Sequence, residues 1–304
     1  MMKKILITGG SGLLGTNLAV RSSSIFDTFI LTNKKNIDVP HTKSMQSDVF
    51  FKTNNYFKPD LIINTVALTD VDYCDKYPAL AFETNVNYIN YLINFCTQYQ
   101  CKFIHVSTDH LSDGLTPCMN ENHELNPINQ YGRTKLLAEK LIQSKISNSI
   151  ILRTNFFGWG PTYRRSFSDR IIDNIKSNKE IHLFEDAFFS PISIRRLYEI
   201  ILLLFREKKS GIFNISSNNR ISKYNFGLQL CELLNLKKDL VIPSRIENAK
   251  NLVLRPKDTS LNNKKITNEL DFDCGYVSDN IIDLICDTKD GIKDQLIKLK
   301  YLQV

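Results

Sequence analysis

Nowhere does the 304-residue chain hold an apolar run near the roughly 20 residues needed to cross a bilayer, and LYEIILLLF is among its longest. The basic opening MMKKILITGGSG contains an apolar run too short for a secretory signal, and glycines interrupt it. No membrane partner is expected, and the chain reads as cytoplasmic. Metal or redox cysteine spacing is missing too. The seven cysteines are scattered, odd in number and without a C-x-x-C pair. Cys96 and Cys101 stand closest, yet no neighbouring histidine completes a zinc-type spacing, and the five histidines are dispersed. The expectation is reduced, buried or half-buried thiols and no metal site. An excess of acid is lacking as well: the net charge is +7, with lysines in small groups such as NKKN, REKK and LKKD. No nucleic-acid motif or basic–aromatic array accompanies them, so nucleic acid is not an expected partner. A positive field does suit a polyanionic small ligand.

What is present is ordinary globular composition, 42% hydrophobic and 23% charged, in a length that suits one large domain or two intimately joined ones. The N-terminal half alternates short apolar runs with helical stretches. KILIT, TFILT, LIINTV, KFIHVS and SIILRT read as strands buried on both faces. ALAFETNVNYINYLINFCTQ and YGRTKLLAEKLIQS read as crossover helices. This predicts an α/β, doubly wound parallel sheet of the Rossmann type. Beyond about residue 157 the pattern loosens. SFSDRIIDNIKS and SIRRLYEIILLLFRE read as helices, GIFNIS as a last strand, and KYNFGLQLCELLNL as part of a smaller α-rich lobe. The expected division is 1–157 with about 190–217 for the nucleotide-binding domain. The interleaved lobe then takes about 158–189 and 218–304.

The first strand runs directly into TGGSGLLG, which holds Gly9-x-x-Gly12-x-x-Gly15 at the start of a helix. Glycines there permit a tight turn and let backbone N–H groups approach a pyrophosphate at the positive helix terminus. Between a first strand and a first helix, this triplet predicts a dinucleotide site. NAD sites carry an acid after the second strand for the ribose 2′-hydroxyl. Here the place reads LTNKKN, acid-free from Thr32 to Asn36, and Lys34 and Lys35 suit a 2′-phosphate. NADPH is therefore expected, with NADH open.

In NPINQYGRTKLLAEK, Tyr131 stands four residues before Lys135, the only one of twelve tyrosines so placed. On a helix that spacing puts both on one face, with Cβ atoms about 5–6 Å apart. Alone, such a pair is also what a Lys-rich helix surface produces.

These segments together resemble the extended short-chain dehydrogenase/reductases, and within them the dTDP-4-dehydrorhamnose reductase type. The resemblance runs from the glycine loop to LRPKDTSLNNKKI near residue 266, most of the chain. It implies cofactor contacts from Ser11, Leu13 and Leu14 beside the three glycines, and from Asn33 and Lys34 after the second strand. Asp48 and Val49 in SDV would meet the adenine. Val66, Ala67 and Thr69 in TVALT would line the cofactor, with Asn85 on the next helix as an organiser. Within VSTDHLSDG, Thr108 would orient the substrate oxygen. Asp109, His110, Thr69, Asn155 in LRTNFFG and Arg255 in LRPKD would face a sugar nucleotide, Arg255 at its diphosphate or nucleotide end. Tyr131 would be the general acid. Lys135 would bind the nicotinamide ribose and bring the phenol down from its ordinary value of about 10 toward the working range. A homodimer is compatible with the resemblance.

Departures from the family pattern carry information. Its S-T-D-Tyr becomes Ser107-Thr108-Asp109-His110. A sugar-nucleotide 4,6-dehydratase needs Thr-Asp-Glu, so histidine at 110 disfavours dehydration. The fucose-synthesising epimerase-reductases place cysteine where Asp109 stands, so a dedicated epimerase lacks its acid/base pair. The expected activity is NADPH-dependent reduction of a nucleotide-linked 4-keto-6-deoxy sugar. The open alternatives are an epimerase or dehydratase, and a non-catalytic NADP-binding regulatory subunit resembling the methionine adenosyltransferase beta subunit.

Overall fold

The computed structural model describes residues 2–53, 56–249 and 252–302. Its central element is a sheet of β1 (Lys4–Thr8), β2 (Asp27–Thr32), β3 (Thr42–Gln46), β4 (Leu61–Asn64), β5 (Lys102–Val106), β6 (Ile150–Thr154) and β7 (Gly211–Ile215). All neighbours pair in parallel, in the order β7-β6-β5-β4-β1-β2-β3. The doubly wound sheet expected from the apolar runs is present. β3 is an addition: its sequence TKSMQ is polar because an edge strand buries less of itself, and its residues are half-buried or exposed.

Alternation along the strands sorts two cores. Leu6, Phe29, Ile62, Phe103 and Ile151 face the helices Tyr88–Tyr99 and Gln130–Lys145, through Ile89, Leu92, Ala138 and Ile142. Ile5, Ile7, Ile30, Ile63, Ile104 and Leu152 face Leu13–Ser22 and Ile194–Arg206, through Leu18, Leu197 and Ile201. Each fully buried side chain of this size contributes about 1.5–3 kcal/mol.

The strand order reverses between β1 and β4, and in open α/β sheets ligands bind at the carboxyl end of such a switch point. Gly9 ends β1 there at φ 73°, where a Cβ would come within 2.9 Å of the Thr65 carbonyl carbon. Only glycine fits that approach.

The rest of the chain stands over this rim. Phe156–Phe157 pairs with Ile192–Ser193, Ile181–Phe184 with Val241–Ser244, and Phe188–Phe189 with Ile221–Ser222. Helices Phe167–Lys176, Lys223–Leu233 and Val277–Lys289 accompany them. The stretch from Ala79 to Gln98 is helical as expected, with a π-turn at Glu83–Asn87 between Pro78–Phe82 and Tyr88–Tyr99. One expectation needs correction. All seven cysteines are free, but Cys118 is exposed rather than buried, on a loop at φ 52°.

Candidate active site

The glycine loop leaves helix Leu13–Ser22 capped by Gly12, with no side chain on its first N–H groups. A Cβ on Gly15 would lie 2.3 Å from the Gly9 carbonyl oxygen, so the turn closes only with hydrogen at that position. Uncapped donors at a positive helix end, in a turn shaped for close approach, fit a pyrophosphate. Ser11 and Leu13 are half-buried beside them and Leu14 is buried. Asn33, Lys34 and Lys35 are exposed after β2, and the Lys35 ammonium sits 5.1 Å from the Tyr301 ring centroid. Asp48 and Val49 are exposed in the first turn of Ser47–Thr53. Val66 and Ala67 are half-buried after β4, with Thr69 exposed.

Asn85 is spent on this loop. Its Oδ1 accepts the Leu68 N–H at 2.7 Å, and its Nδ2 donates to the Leu68 carbonyl at 3.2 Å and to Thr134 Oγ1 at 2.9 Å. The π-turn aims that amide, in keeping with the frequent occurrence of such turns at functional sites. The organiser expectation describes this geometry better than direct cofactor contact does.

Helix Gln130–Lys145 starts at Asn129, whose Oδ1 accepts the Gly132 N–H at 2.9 Å. Gly132 lies so close to the STDH loop that a Cβ would sit 2.3 Å from the His110 carbonyl oxygen. The Tyr131 ring is buried among Leu68, Val71, Cys74, Ala81 and Val253. Burial pushes its phenol well above the ordinary tyrosine value, and the nearby Thr108 hydroxyl opposes the rise. Lys135 is 1% exposed, its Nζ donating to the Val106 carbonyl at 2.8 Å and lying 3.1 Å from His105 Nε2. Burial brings this amine down to about 8, opposed by the Glu139 carboxylate one turn on. The expectation that Lys135 lowers the phenol is therefore corrected for this arrangement. Desolvation dominates, and the amine turns toward the sheet. A raised phenol still suits an acid, because it keeps its proton at neutral pH.

Glu139 accepts the Ser107 hydroxyl and a forked pair from Arg153, with Nη2 at 2.8 Å, and Arg153 Nη1 donates to the Glu121 carbonyl at 3.2 Å. This buried ion pair pins the STDH segment to the tyrosine helix. Removing one partner of such a pair costs about 3–5 kcal/mol.

Asp109 Oδ2 accepts from Asn155 Nδ2 at 2.9 Å, so Asn155 and Asp109 hold each other. The His110 ring meets the Tyr131 ring edge-on, centroids 5.9 Å apart, and its Nδ1 is buried without a partner. Burial lowers this imidazole, against the Asp109 carboxylate, which raises it. Arg255 Nη2 donates to Asp72 Oδ2 at 2.7 Å, while its Nη1 is buried and unpartnered. One end of the guanidinium is thus held by a carboxylate, and the other remains free.

Sequence reasoning missed His105, the Ser107–Glu139–Arg153 unit and Lys223. The Lys223 ammonium lies 5.5 Å from the Phe167 ring centroid and 5.7 Å from that of Phe189. Among the described residues it makes no hydrogen bond or ion pair, though Asp109 and Arg255 are close enough to affect its charge. No local motif marks such a lysine, because the fold brings its surroundings from four separate segments.

Fold and site define an NAD(P)-dependent oxidoreductase of the extended short-chain dehydrogenase/reductase class. The chain belongs to the RmlD substrate binding domain family, whose model matches residues 2–285. Over 267 residues it is 27% identical to the spore coat polysaccharide biosynthesis protein SpsK of Bacillus subtilis, covering 87% of this chain and 91% of that protein. A dTDP-4-dehydrorhamnose reductase of Aggregatibacter actinomycetemcomitans is 26% identical over 239 residues, 75% of this chain and 78% of its own. The fold matches that of dTDP-4-dehydrorhamnose reductase from Bacillus anthracis in complex with NADP. The TM-score is 0.83 at 21% identity, over 94% of this chain and 100% of that one. Among the described residues, no helix is long and apolar enough to cross a membrane.

Proposed function

We propose that this chain is an NADPH-dependent reductase of a nucleotide-linked 4-keto-6-deoxy sugar, with Tyr131 as general acid. The observation that carries the reading is the buried Tyr131 phenol with the Thr108 hydroxyl near enough to act on its charge. A ketone oxygen placed against both hydroxyls is oriented by Thr108 and takes its proton from Tyr131 as charge develops on it. The cofactor supplies the hydride. Gly9, Gly12, Gly15 and the uncapped helix terminus would hold its pyrophosphate. The acid-free loop with exposed Lys34 favours the 2′-phosphate form. Residues 1–157 with about 190–217 carry the cofactor, and about 158–189 with 218–304 carry the substrate.

Across the cleft, Lys223 and the free Nη1 of Arg255 suit the diphosphate of a sugar nucleotide. The orphaned Nδ1 of His110 suits a sugar hydroxyl. The relatives named as dTDP-4-dehydrorhamnose reductases support the same substrate class. The test is NADPH consumption against a panel of nucleotide-linked 4-keto-6-deoxy sugars, with the reduced sugar identified as product. Turnover with at least one member is expected. Tight NADPH binding without turnover on any of them would return the chain to the regulatory reading. Lys34→Ala with Lys35→Ala should weaken NADPH binding more than NADH binding, and equal native affinities for the two cofactors would refute the assigned preference.

A further inference from the structure

His105 is a completely buried imidazole that the proposed reduction does not use. It stands in a row of polar side chains at the carboxyl rim of the sheet. Thr8, Asn64 and His105 occupy paired positions on β1, β4 and β5, on the face covered by the tyrosine helix. Asn64 Oδ1 accepts the Thr8 hydroxyl at 2.7 Å and the Val66 backbone N–H at 3.1 Å. A backbone N–H can only donate, so the amide orientation follows: the oxygen faces Val66, and Nδ2 faces His105 Nδ1 at 3.0 Å. Nδ1 must then hold a lone pair, and the proton of the neutral ring lies on Nε2. That N–H points at Lys135 Nζ, 3.1 Å away. An ammonium has no lone pair to receive it, whereas a neutral amine does.

We propose that His105 is a positioning residue that, above the pH at which Lys135 titrates, holds it as a neutral amine in the cofactor-free protein. Charging the lysine requires the imidazole to give up its Nε2–H tautomer. The second state is equally defined. A charged Lys135 needs the Nε2 lone pair, so the ring proton moves to Nδ1. Asn64 must then turn its oxygen to His105, which takes the acceptor away from Val66 N–H. Val66 belongs to the loop expected to line the cofactor, so the charge on Lys135 and the hydrogen bonding of that loop are coupled.

The surroundings agree with a lysine that is easily neutralised. On its own helix Lys135 has Tyr131 one turn before and Glu139 one turn after, and Glu139 is occupied by Arg153 of β6 and by Ser107. From β5 it meets His105 and the Val106 carbonyl. Asp109 and His110 follow β5 on the Tyr131 side. Cys74, on the helix packed against Tyr131, bears on the phenol. Beyond Thr8, the Tyr88 hydroxyl closes the row and donates to Ser47 Oγ at 3.1 Å. Burial lowers both members of the pair, His105 further by the lysine charge itself.

The proposal concerns the site of the proposed reduction. Its test uses neither cofactor nor substrate, so its failure is distinguishable from a lack of turnover. In protein labelled at lysine Cε and histidine nitrogens, the resonance lost in Lys135→Met is followed by NMR against pH. Lys135 should titrate near or below about 8, and at higher pH His105 should show the Nε2–H tautomer, both changing with one midpoint. His105→Gln, whose side-chain oxygen can accept from an ammonium, should raise the Lys135 midpoint by about one unit or more. A native Lys135 titrating near its ordinary value, or an Nδ1–H tautomer above that midpoint, overturns the proposal. So does an unchanged midpoint in folded His105→Gln. Should that variant not fold, the two native measurements decide the matter.

Discussion

Tyr131 and Lys135 share a helix face, yet among the described residues no hydrogen bond joins them. The phenol lies near the Thr108 hydroxyl, and the amine donates to the Val106 carbonyl at 2.8 Å. The proposed chemistry needs only the phenol proton from Tyr131. Tyr131→Phe should therefore keep fold and NADPH affinity while reduction falls by about 10²–10⁴-fold, as is typical for loss of a general acid. Native turnover by that variant on a confirmed substrate would remove Tyr131 from the mechanism. Lys135 gives a second expectation, about stability. Its amine lies at about 8 in the folded chain, lowered from 10.5. Between those values the unfolded chain holds more protons than the folded one, so stability rises with pH across that window. Below pH 8 both states are charged and the burial cost is fully felt. The unfolding free energy of the native protein minus that of Lys135→Met should rise by on the order of 3 kcal/mol between pH 7 and 10.5. Urea unfolding of both proteins at several pH values measures it, and a flat difference would contradict the lowered amine.

At the scale of elements, the start of helix Gln130–Lys145 is where the segments proposed to carry catalytic and substrate-side residues meet. Asn129 caps the helix through Oδ1 and donates from Nδ2 to the Leu254 carbonyl at 3.1 Å. The two functions separate by substitution. Asn129→Ser keeps an acceptor for the Gly132 N–H but loses the donor to Leu254, so it should raise substrate KM with the N-cap retained. Asn129→Ala loses both and should cost a further 0.5–2 kcal/mol, roughly the worth of an N-cap. Thermal unfolding and steady-state kinetics on the pair check this, and identical kinetics for Asn129→Ser and native protein would detach Leu254 from the substrate side. The π-turn at Glu83–Asn87 works similarly on the side proposed for the cofactor, since it delivers the Asn85 amide to both polar atoms of the Leu68 backbone.

Across the whole molecule, the Arg255–Asp72 pair ties the Leu252–Pro256 segment to helix Val71–Lys76 at 2.7 Å, over 183 residues of chain. A half-exposed pair of this kind is worth little by itself. Arg255→Ala should therefore lower the melting temperature only slightly, and its main effect should be a higher KM for the sugar nucleotide, through the lost Nη1. An unchanged KM with a clearly lower melting temperature would make Arg255 a structural residue alone.

Sequence alone determined the sheet, the glycine loop and the tyrosine–lysine pair, because each is a local pattern. Strands buried on both faces must be apolar throughout, a pyrophosphate turn must lack side chains, and a helix must bring residues four apart together. The edge strand Thr42–Gln46 escaped this reading because an edge need not be apolar. Only tertiary structure decided the protonation logic of the site. His105 lies 30 residues before Lys135, Asn64 another 41 before His105, and Lys223 lies on the separate helix Lys223–Leu233. Parallel strands align Thr8, Asn64 and His105 in one row, and desolvation under the covering helix then raises the phenol. Burial and register belong to the folded chain, and no spacing along the sequence encodes them.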